Sequence, residues 1–175
     1  HPGHTYNTRP NHPFFNCDTT PEMIWAIGLG VQGLTRNTNL LVDTLVGPAG
    51  GPGTKTMLYE NAAFVAATTV SGQSLMTSCH SSSGGATPRH ASGLDSKICG
   101  EVTRAVRGMK RDEINEIVKQ ITPKYVDDLD KNPIGKPFEE VYDVDKVEPT
   151  PEWQGMYDEV KEELIQLGLP LDRLV

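Results

Sequence analysis

The stretch LLVDTLVGPAGGPGTKTMLYENAAFVAATTVSG, residues 40–72, decides the fold class. Leu40 to Val46 is a short apolar run rich in residues that favour β-strands, and it ends at a Gly and Pro loop, Gly47 to Gly53. After the loop, Lys55 to Val70 has a long apolar face with many alanines and stops at Gly72. A strand, a loop and a helix in this order make a βα unit, so this part of the chain predicts an α/β fold.

Another helix is predicted ahead of this unit. Thr19 and Glu22 have the spacing of a capping box, and Pro21 lies in the first turn, so the helix should begin near Thr20. The glycines at positions 28, 30 and 33 each cost up to ~1 kcal/mol relative to Ala inside a helix. Their presence implies either close helix packing or an early end near Gly33.

The rest of the chain predicts one more strand and three helices. Ser74 to Cys79 is a second, more polar strand candidate, and the Ser, Gly, Thr and Pro content of His80 to His90 rules out regular structure there. The three helices cover Leu94 to Val106, Ile114 to Ile121, and a segment that starts with Thr150 as cap and Pro151 and stops at Gly168. Two parallel strands cannot cover five amphipathic helices. We therefore expect further strands from sequence ahead of His1, which is not a Met.

Composition and charge exclude several classes of protein. The formal net charge of -7 argues against a nucleic-acid footprint, and the basic cluster at residues 104–111 falls at a helix end, where cations are favourable for structural reasons. No stretch approaches the ~20 apolar residues of a membrane-spanning helix. The cysteines, at positions 17, 79 and 99, are odd in number and lack CxxC spacing, which suits a reducing, cytoplasmic compartment. The acidic stretch Glu139 to Glu148 is a solvated linker or faces a partner protein.

Three segments carry a resemblance to a known family. They are Gly100 to Ala105 (GEVTRA), Gly135 to Val144 (GKPFEEVYDV), and Thr150-Pro151-Glu152 through Tyr157 to Leu167-Gly168-Leu169. In order and spacing these segments resemble the C-terminal region of the monomethylamine methyltransferases of methanogenesis. The similarity runs from about Pro21 to Leu169 and is densest after Ser92.

The resemblance implies a fold and a division of the chain. The expected fold is α/β, the C-terminal part of a TIM-type (β/α)8 barrel with additional C-terminal helices. Residues 1–91 would be the last strand and helix units of the barrel with their active-site loops. Residues 92–175 would be helices that pack on the barrel and at a subunit interface of a homo-oligomer.

The resemblance also implies a chemistry. Members of the family take a methyl group from a methylamine and pass it to the cobalt of a separate corrinoid protein, so no cofactor is expected to bind this chain directly. Their chemistry depends on pyrrolysine and a nearby carboxylate, and both would lie upstream of His1. Where the family places a Gln and a Tyr in a loop to hold the amine, this chain has the shorter loop Gly47 to Gly51. A relative with another methyl donor, or one without pyrrolysine, would fit equally well.

In an α/β barrel the active site lies in the loops that follow the strands. Here those loops are His1 to Thr19, Gly47 to Gly53 and Cys79 to His90, which are expected to line one mouth. The residues that we predict to line the substrate pocket are His1, His4, Asn7, Arg9, Gly50, Gly51, His80 and Ser81. Cys79 and His80 are neighbours on a strand and point to opposite faces, so they do not predict a nucleophile and its base.

Several alternatives stay open at this point. The loop histidines His1, His4 and His12 come without a carboxylate or thiol at a familiar spacing, so no metal site is predicted, although a barrel hydrolase or lyase using these histidines is an alternative function. Another is a non-catalytic scaffold subunit that binds through its C-terminal helices. Gly47 to Gly53 is a mobile lid or a plain turn, and His80 with its following serines binds an anion or is a solvated loop.

Overall fold

The computed structural model describes residues 5–7 and 10–173 of the chain. The β-strands are β1 (Thr5–Asn7), β2 (Leu41–Val46), β3 (Leu75–Cys79), β4 (Tyr142–Asp143) and β5 (Glu148–Pro149). The α-helices are α1 (Pro21–Asn37), α2 (Lys55–Ser71), α3 (Ser82–Gly85), α4 (Gly93–Ala105), α5 (Arg111–Ile121), α6 (Phe138–Val141) and α7 (Pro151–Gln166). Short 3₁₀ helices cover Thr122–Lys124, Val126–Lys131 and Leu171–Arg173.

The central sheet is parallel, with the strand order β1-β2-β3. Each strand therefore pairs with the next strand along the chain, and α1 and α2 make the two connections between them. Asp43 in the middle of β2 pairs with Asn7 of β1 and with Leu75 of β3. The α/β prediction is confirmed. Strand β1 was not predicted, because its three residues lie among Pro, His and Asn residues that hide any alternation.

Helix α1 begins where the sequence predicts and ends later. The Thr20 side chain accepts a hydrogen bond from the Met23 amide at 3.3 Å, which caps the helix. The expectation of an early end near Gly33 is wrong, because the helix continues to Asn37. Close packing explains Gly28 instead, since a Cβ atom there would lie 3.3 Å from Ser71 Oγ of α2.

Helix α2 is the centre of the molecule. It contacts α1, α4, α5 and α7 as well as the sheet, and it is buried on nearly all sides rather than along one face. Thr54 caps its start and Gly72, with φ of 107°, ends it in the left-handed conformation that glycine adopts without strain. Residues from both sides of Ser92 belong to one continuous apolar core around this helix.

The two faces of β2 differ in burial. Val42, Thr44 and Val46 are fully buried and lie on the face that α1 and α2 cover, since successive side chains of a strand alternate between faces. On the opposite face, Leu41 is exposed and Asp43 is buried. Leu75, the register partner of Asp43, is also exposed. We call this second side of the sheet the uncovered face.

The acidic stretch from Glu139 to Glu148 is folded. Predicting it as a linker was wrong, because it contains most of α6 and of the antiparallel hairpin of β4 and β5. Positions 144–148 are exposed to solvent, as predicted. Val141 and Tyr142 are buried, and the Tyr142 ring stacks on Phe138 with 4.8 Å between ring centroids. Within residues 5–7 and 10–173, no helix has the length and apolar character that crossing a membrane requires.

Candidate functional site

The loop that follows β2 is held by two buried carboxylates. Asp18 accepts a hydrogen bond from the Gly47 amide at 2.8 Å. Glu60, on the first half of α2, accepts from the Ala49 amide at 2.9 Å and from the Gly50 amide at 2.8 Å. Both carboxylates have no solvent exposure. The loop is therefore neither an open lid nor a plain turn, because buried acceptors fix its backbone amides.

Burial sets the electrostatics of Glu60. Removal of the side chain from water raises its pKa to about 7, although hydrogen bonds from Thr19, Gly50 and Ala49 oppose the shift. The nearby charge of Asp18 raises the pKa further. Glu60 is thus a group that changes protonation near neutral pH, directly beneath the loop at the strand ends.

The loop after β3 folds against the loop after β2. The amides of residues 82–84 donate to the carbonyl oxygens of residues 50, 49 and 48 at 2.8, 3.0 and 2.9 Å. Residues 82–85 all have positive φ values, from 55° to 88°, so this turn, α3, is left-handed in part. Two of its members are serines, for which this backbone conformation is strained. The three backbone hydrogen bonds from residues 82–84 to residues 48–50 offset that strain.

A third segment closes over both loops. The Gly51 amide donates to Pro133 O at 2.9 Å, and Ser82 Oγ donates to Ile134 O at 2.6 Å. A side chain on Gly51 would overlap Ile134 O and Ser82 Oγ, which is why glycine is required there. Residues 132–136 therefore cover Gly51 and join the site from a part of the chain that the sequence analysis did not assign to it.

The first predicted loop also reaches this place. Asn16 Nδ2 donates to Ser83 O at 2.7 Å, and the Asp18 amide donates to Gly47 O at 3.1 Å. The structure thus brings together parts of all three loops that were expected to line one mouth. Tyr125 also contacts the first loop, because its hydroxyl donates to Thr19 O at 2.7 Å.

A third buried carboxylate, Asp95, anchors the loop after β3. Asp95 accepts hydrogen bonds from the hydroxyls of Ser81 and Ser92 and from the Ser92 amide at 3.0 Å. Burial raises the pKa of Asp95, and these donors oppose the shift. Trp153 Nε1 of α7 donates to Ser92 Oγ at 3.0 Å. The cluster ties β3, α4 and α7 together.

Two of the three cysteines, Cys17 and Cys99, are held in the thiol form because their pKa values are raised. Asn61 Nδ2 donates to Cys79 Sγ at 3.2 Å, and Cys79 Sγ lies 3.4 Å from Ser81 Oγ. A hydrogen bond with Cys79 and burial both raise the pKa of Cys99. Burial likewise raises the pKa of Cys17 to about 11. Because only a thiolate is a strong nucleophile, Cys17 and Cys99 are unsuited to covalent chemistry.

The predicted pocket residues fall into different environments. His1, His4 and Arg9 lie outside the described residues, and Asn7 is the last residue of β1. Gly50 and Gly51 are buried in the loop contacts, Ser81 is buried on Asp95, and His80 is exposed. Their role in binding a substrate stays a prediction.

Metal binding has no obvious site in the described part of the chain. There, no three His, Cys, Asp or Glu side chains are grouped so that they could hold a metal ion. The ring of His12 instead stacks on Phe15, with 4.7 Å between ring centroids.

Sequence reasoning missed Asp43, Glu60 and Asp95. Asp43 lies on the uncovered face, and its Oδ1 atom is buried without a hydrogen-bond partner in the described structure. A charged residue inside an apolar strand, or a single Glu inside an Ala-rich helix, is a signal that could have found the first two. Asp95 stands three residues after Ser92, and this capping-box spacing is a sequence signal that could have found it.

Comparison with known proteins shows the family. A family model described as monomethylamine methyltransferase MtmB matches residues 6–169. Monomethylamine methyltransferase MtmB2 of Methanosarcina acetivorans is 32% identical over 160 residues, which are 91% of this chain and 35% of that protein. MtmB of Methanosarcina mazei is 31% identical over the same shares.

A solved structure agrees with these matches. The crystal structure of Methanosarcina barkeri monomethylamine methyltransferase, MtmB, superposes with a TM-score of 0.90 at 30% identity, over 94% of this chain and 36% of that chain. The α/β chain described here therefore belongs to the monomethylamine methyltransferase family. It spans about a third of the length of the relatives that it matches.

Proposed function

We propose that the protein acts in a methyltransferase that moves the methyl group of methylamine to the cobalt of a corrinoid protein. The match to the MtmB family over residues 6–169 carries this proposal. In the reaction, the electron pair of Co(I) forms the new bond to the methyl carbon of methylammonium. The C–N bond breaks, and the nitrogen leaves as ammonia. The corrinoid is the methyl acceptor and belongs to the partner protein, so no cofactor is proposed to bind this chain.

We also propose that β1, β2 and β3 are consecutive strands of a (β/α)8 barrel. Consecutive parallel neighbours are the order that such a barrel requires. A groove of about 340 Å³ runs along the whole of β3, between this strand and α4. Leu41 and Leu75 are 58% and 49% exposed on the uncovered face, which favours further strands that would cover them. Pyrrolysine is proposed to lie in that remaining part of the family's length.

The surroundings of the Asp43 carboxylate favour the binding of a cationic substrate. Its Oδ1 atom is buried, has no partner among the described residues, and lies on the face that would line the barrel interior. A carboxylate oxygen in this position attracts a cation, and methylammonium offers N–H donors for a charge-assisted hydrogen bond. We propose that Asp43 binds the ammonium group of the substrate.

The proposed methyltransferase is a homo-oligomer and acts in the cytoplasm, as the family resemblance implies.

Methyl transfer to a Co(I) corrinoid protein, followed by its visible absorbance, tests the function. Asp43→Asn should raise KM for methylamine about 10- to 100-fold, because a hydrogen bond to a charged group contributes about 1.5–3 kcal/mol. The thermal midpoint should not fall, since Oδ1 has no hydrogen bond to lose among the described residues. Asp145→Asn, the same change at an exposed position, is the matched control.

Two results would contradict these proposals. Native protein that binds the corrinoid partner without any methyl transfer would show a scaffold rather than an enzyme. An Asp43→Asn variant with unchanged KM and an intact fold would remove Asp43 from substrate binding, while leaving the methyltransferase proposal in place.

A further inference from the structure

Two of the three cysteines face each other between β3 and α4. Cys79 is the last residue of β3, and Cys99 lies in the middle of α4. Both line the groove of about 340 Å³ that runs along β3, and their side chains are hydrogen-bond partners. Cys17 differs from them, because it is buried beside Asp18 and Glu60 instead of a second thiol. The cysteines therefore form one pair and one isolated thiol.

Further contacts hold Cys79 against the turn of α4 that contains Cys99. Asn61 Nδ2 donates to Cys79 Sγ at 3.2 Å and to Asp95 O at 3.5 Å. In an α-helix, the carbonyl oxygen of residue 95 accepts the amide of residue 99. Cys79 Sγ also lies 3.4 Å from Ser81 Oγ, which donates to the Asp95 carboxylate. The two sulfur atoms are thus fixed next to each other, although they are 20 positions apart in sequence.

The two thiols differ in their access to solvent. Cys79 is half-buried, whereas the Cys99 side chain is only 3% exposed. On the side of α4 that faces the groove, the neighbours of Cys99 are small: Ser96, Gly100 and Thr103. The groove therefore gives a small molecule a path to Cys79, with Cys99 directly behind it.

We propose that Cys79 and Cys99 form a reversible disulfide when the protein meets a low-molecular-weight disulfide. The Cys79 thiolate attacks one sulfur of the reagent, whose S–S bond breaks, and one reagent thiol leaves with a proton. Cys99 then loses its proton and attacks Cys79 Sγ, which releases the second reagent thiol. Two electrons pass to the reagent, and two protein thiols become one disulfide.

The two cysteines have separate parts in this exchange. Cys99 on its own is a poor nucleophile, because its hydrogen bond with Cys79 and its burial raise its pKa. Its attack is nevertheless intramolecular and starts from contact, so a small fraction of thiolate is sufficient. The product ties the end of β3, where the site loop begins, to α4. The inference does not depend on the proposed function.

Oxidised glutathione, added to the full chain without oxygen at about pH 8, tests the proposal, because ordinary thiols are partly ionised there. The protein should lose the mass of two hydrogen atoms, and peptides containing Cys79 and Cys99 should be linked until dithiothreitol is added. Cys17 should react at least about tenfold more slowly, because burial raises its pKa and favours the thiol. The thermal midpoint of the oxidised protein should rise by roughly 5–10 °C, since the bond closes a loop of about 20 residues.

Single variants separate the two parts of the exchange. Cys99→Ser should stop at the mixed disulfide and gain one glutathione on Cys79. Cys79→Ser should remain unmodified, because the buried Cys99 does not meet the reagent. Cys17→Ser is the matched control and should form the disulfide as the native protein does.

Peptide mapping of the native protein decides the outcome even if a variant fails to fold. The proposal is overturned if glutathione stays on Cys79 while Cys99 remains free, or if neither thiol reacts until urea unfolds the chain. A disulfide that fails to raise the thermal midpoint would also overturn it, because the bond would then form only by distorting the native contact.

Discussion

At the carboxyl end of β2, backbone amides donate to buried carboxylates, whereas on the uncovered face of the same sheet Asp43 Oδ1 has no partner among the described residues. The burial of apolar groups differs in the same way. Val42 and Val46 are sealed under helices, while Leu41 and Leu75 remain about half exposed. The described residues therefore satisfy the amides at the end of β2 by themselves, but they leave one face of the sheet for further structure to cover.

The largest expected effect comes from removing the acceptor at the strand ends. Glu60→Leu leaves three buried donors without partners: the Ala49 amide, the Gly50 amide and the Thr19 hydroxyl. At about 1–3 kcal/mol for each orphaned donor, the free energy of unfolding should fall by about 3–9 kcal/mol. Urea denaturation followed by circular dichroism measures this loss. Glu162→Leu, at an exposed position on α7, is the control and should change the stability by less than about 0.5 kcal/mol.

A pH dependence follows from the same carboxylate. Burial raises the pKa of Glu60 from its usual 4.5 to about 7 in the folded protein, so between these values the unfolded chain has lost the proton that the folded chain keeps. The contribution to stability is therefore complete below about pH 4.5 and is lost as the pH rises to about 7. At about 1.4 kcal/mol per pKa unit, the total change is about 3 kcal/mol.

Comparison with Glu60→Gln isolates this effect, because all other titrating groups are common to both proteins. The difference in unfolding free energy between native and variant protein should slope between pH 4.5 and 7 and be flat above pH 7. Equal slopes for the two proteins would show that Glu60 keeps an ordinary pKa. Water would then reach the carboxylate at the end of β2.

A smaller effect is expected at the second anchor of the strand ends. Ser92→Ala removes the acceptor of Trp153 Nε1 and one donor to Asp95, so the unfolding free energy should fall by about 1–2 kcal/mol. The near-ultraviolet circular dichroism of Trp153 should change as well. Ser96→Ala, on an exposed position of α4, should leave both measurements unchanged. Equal results for the two variants would mean that the Asp95 cluster does not tie α7 to the loop.

Local signals in the sequence predicted most of the elements. Thr150 caps α7 as predicted, by accepting a hydrogen bond from the amide three residues ahead. Helix α1 begins where predicted, but Thr20 caps it rather than Thr19 of the predicted capping box. Thr54 caps α2 in the same way and was not predicted. Strands β2 and β3 begin within one residue of the predicted bounds. Short-range patterns of capping and alternation were sufficient here, because the residues that decide them are neighbours in sequence.

The candidate site needed contacts between residues far apart in sequence. Glu60 meets Thr19 across 41 positions, and Ser82 meets Ile134 across 52. No periodicity encodes such pairs, so the cover formed by residues 132–136 was not predicted. Strand β1 was missed for a related reason, because three residues become a strand only through pairing with β2. The family resemblance indicated the fold to which the elements belong but not which side chains meet.

The smallest expected effect tests the uncovered face. Leu75→Ala should lower the unfolding free energy of the 175-residue chain by less than about 1 kcal/mol, because the side chain is already 49% exposed. The same change at Leu58, fully buried in α2, should cost about 2–5 kcal/mol. Urea denaturation of both variants gives the two losses on one scale. A Leu75→Ala loss as large as the Leu58→Ala loss would mean that this face is already packed, and the argument for additional strands over it would fail.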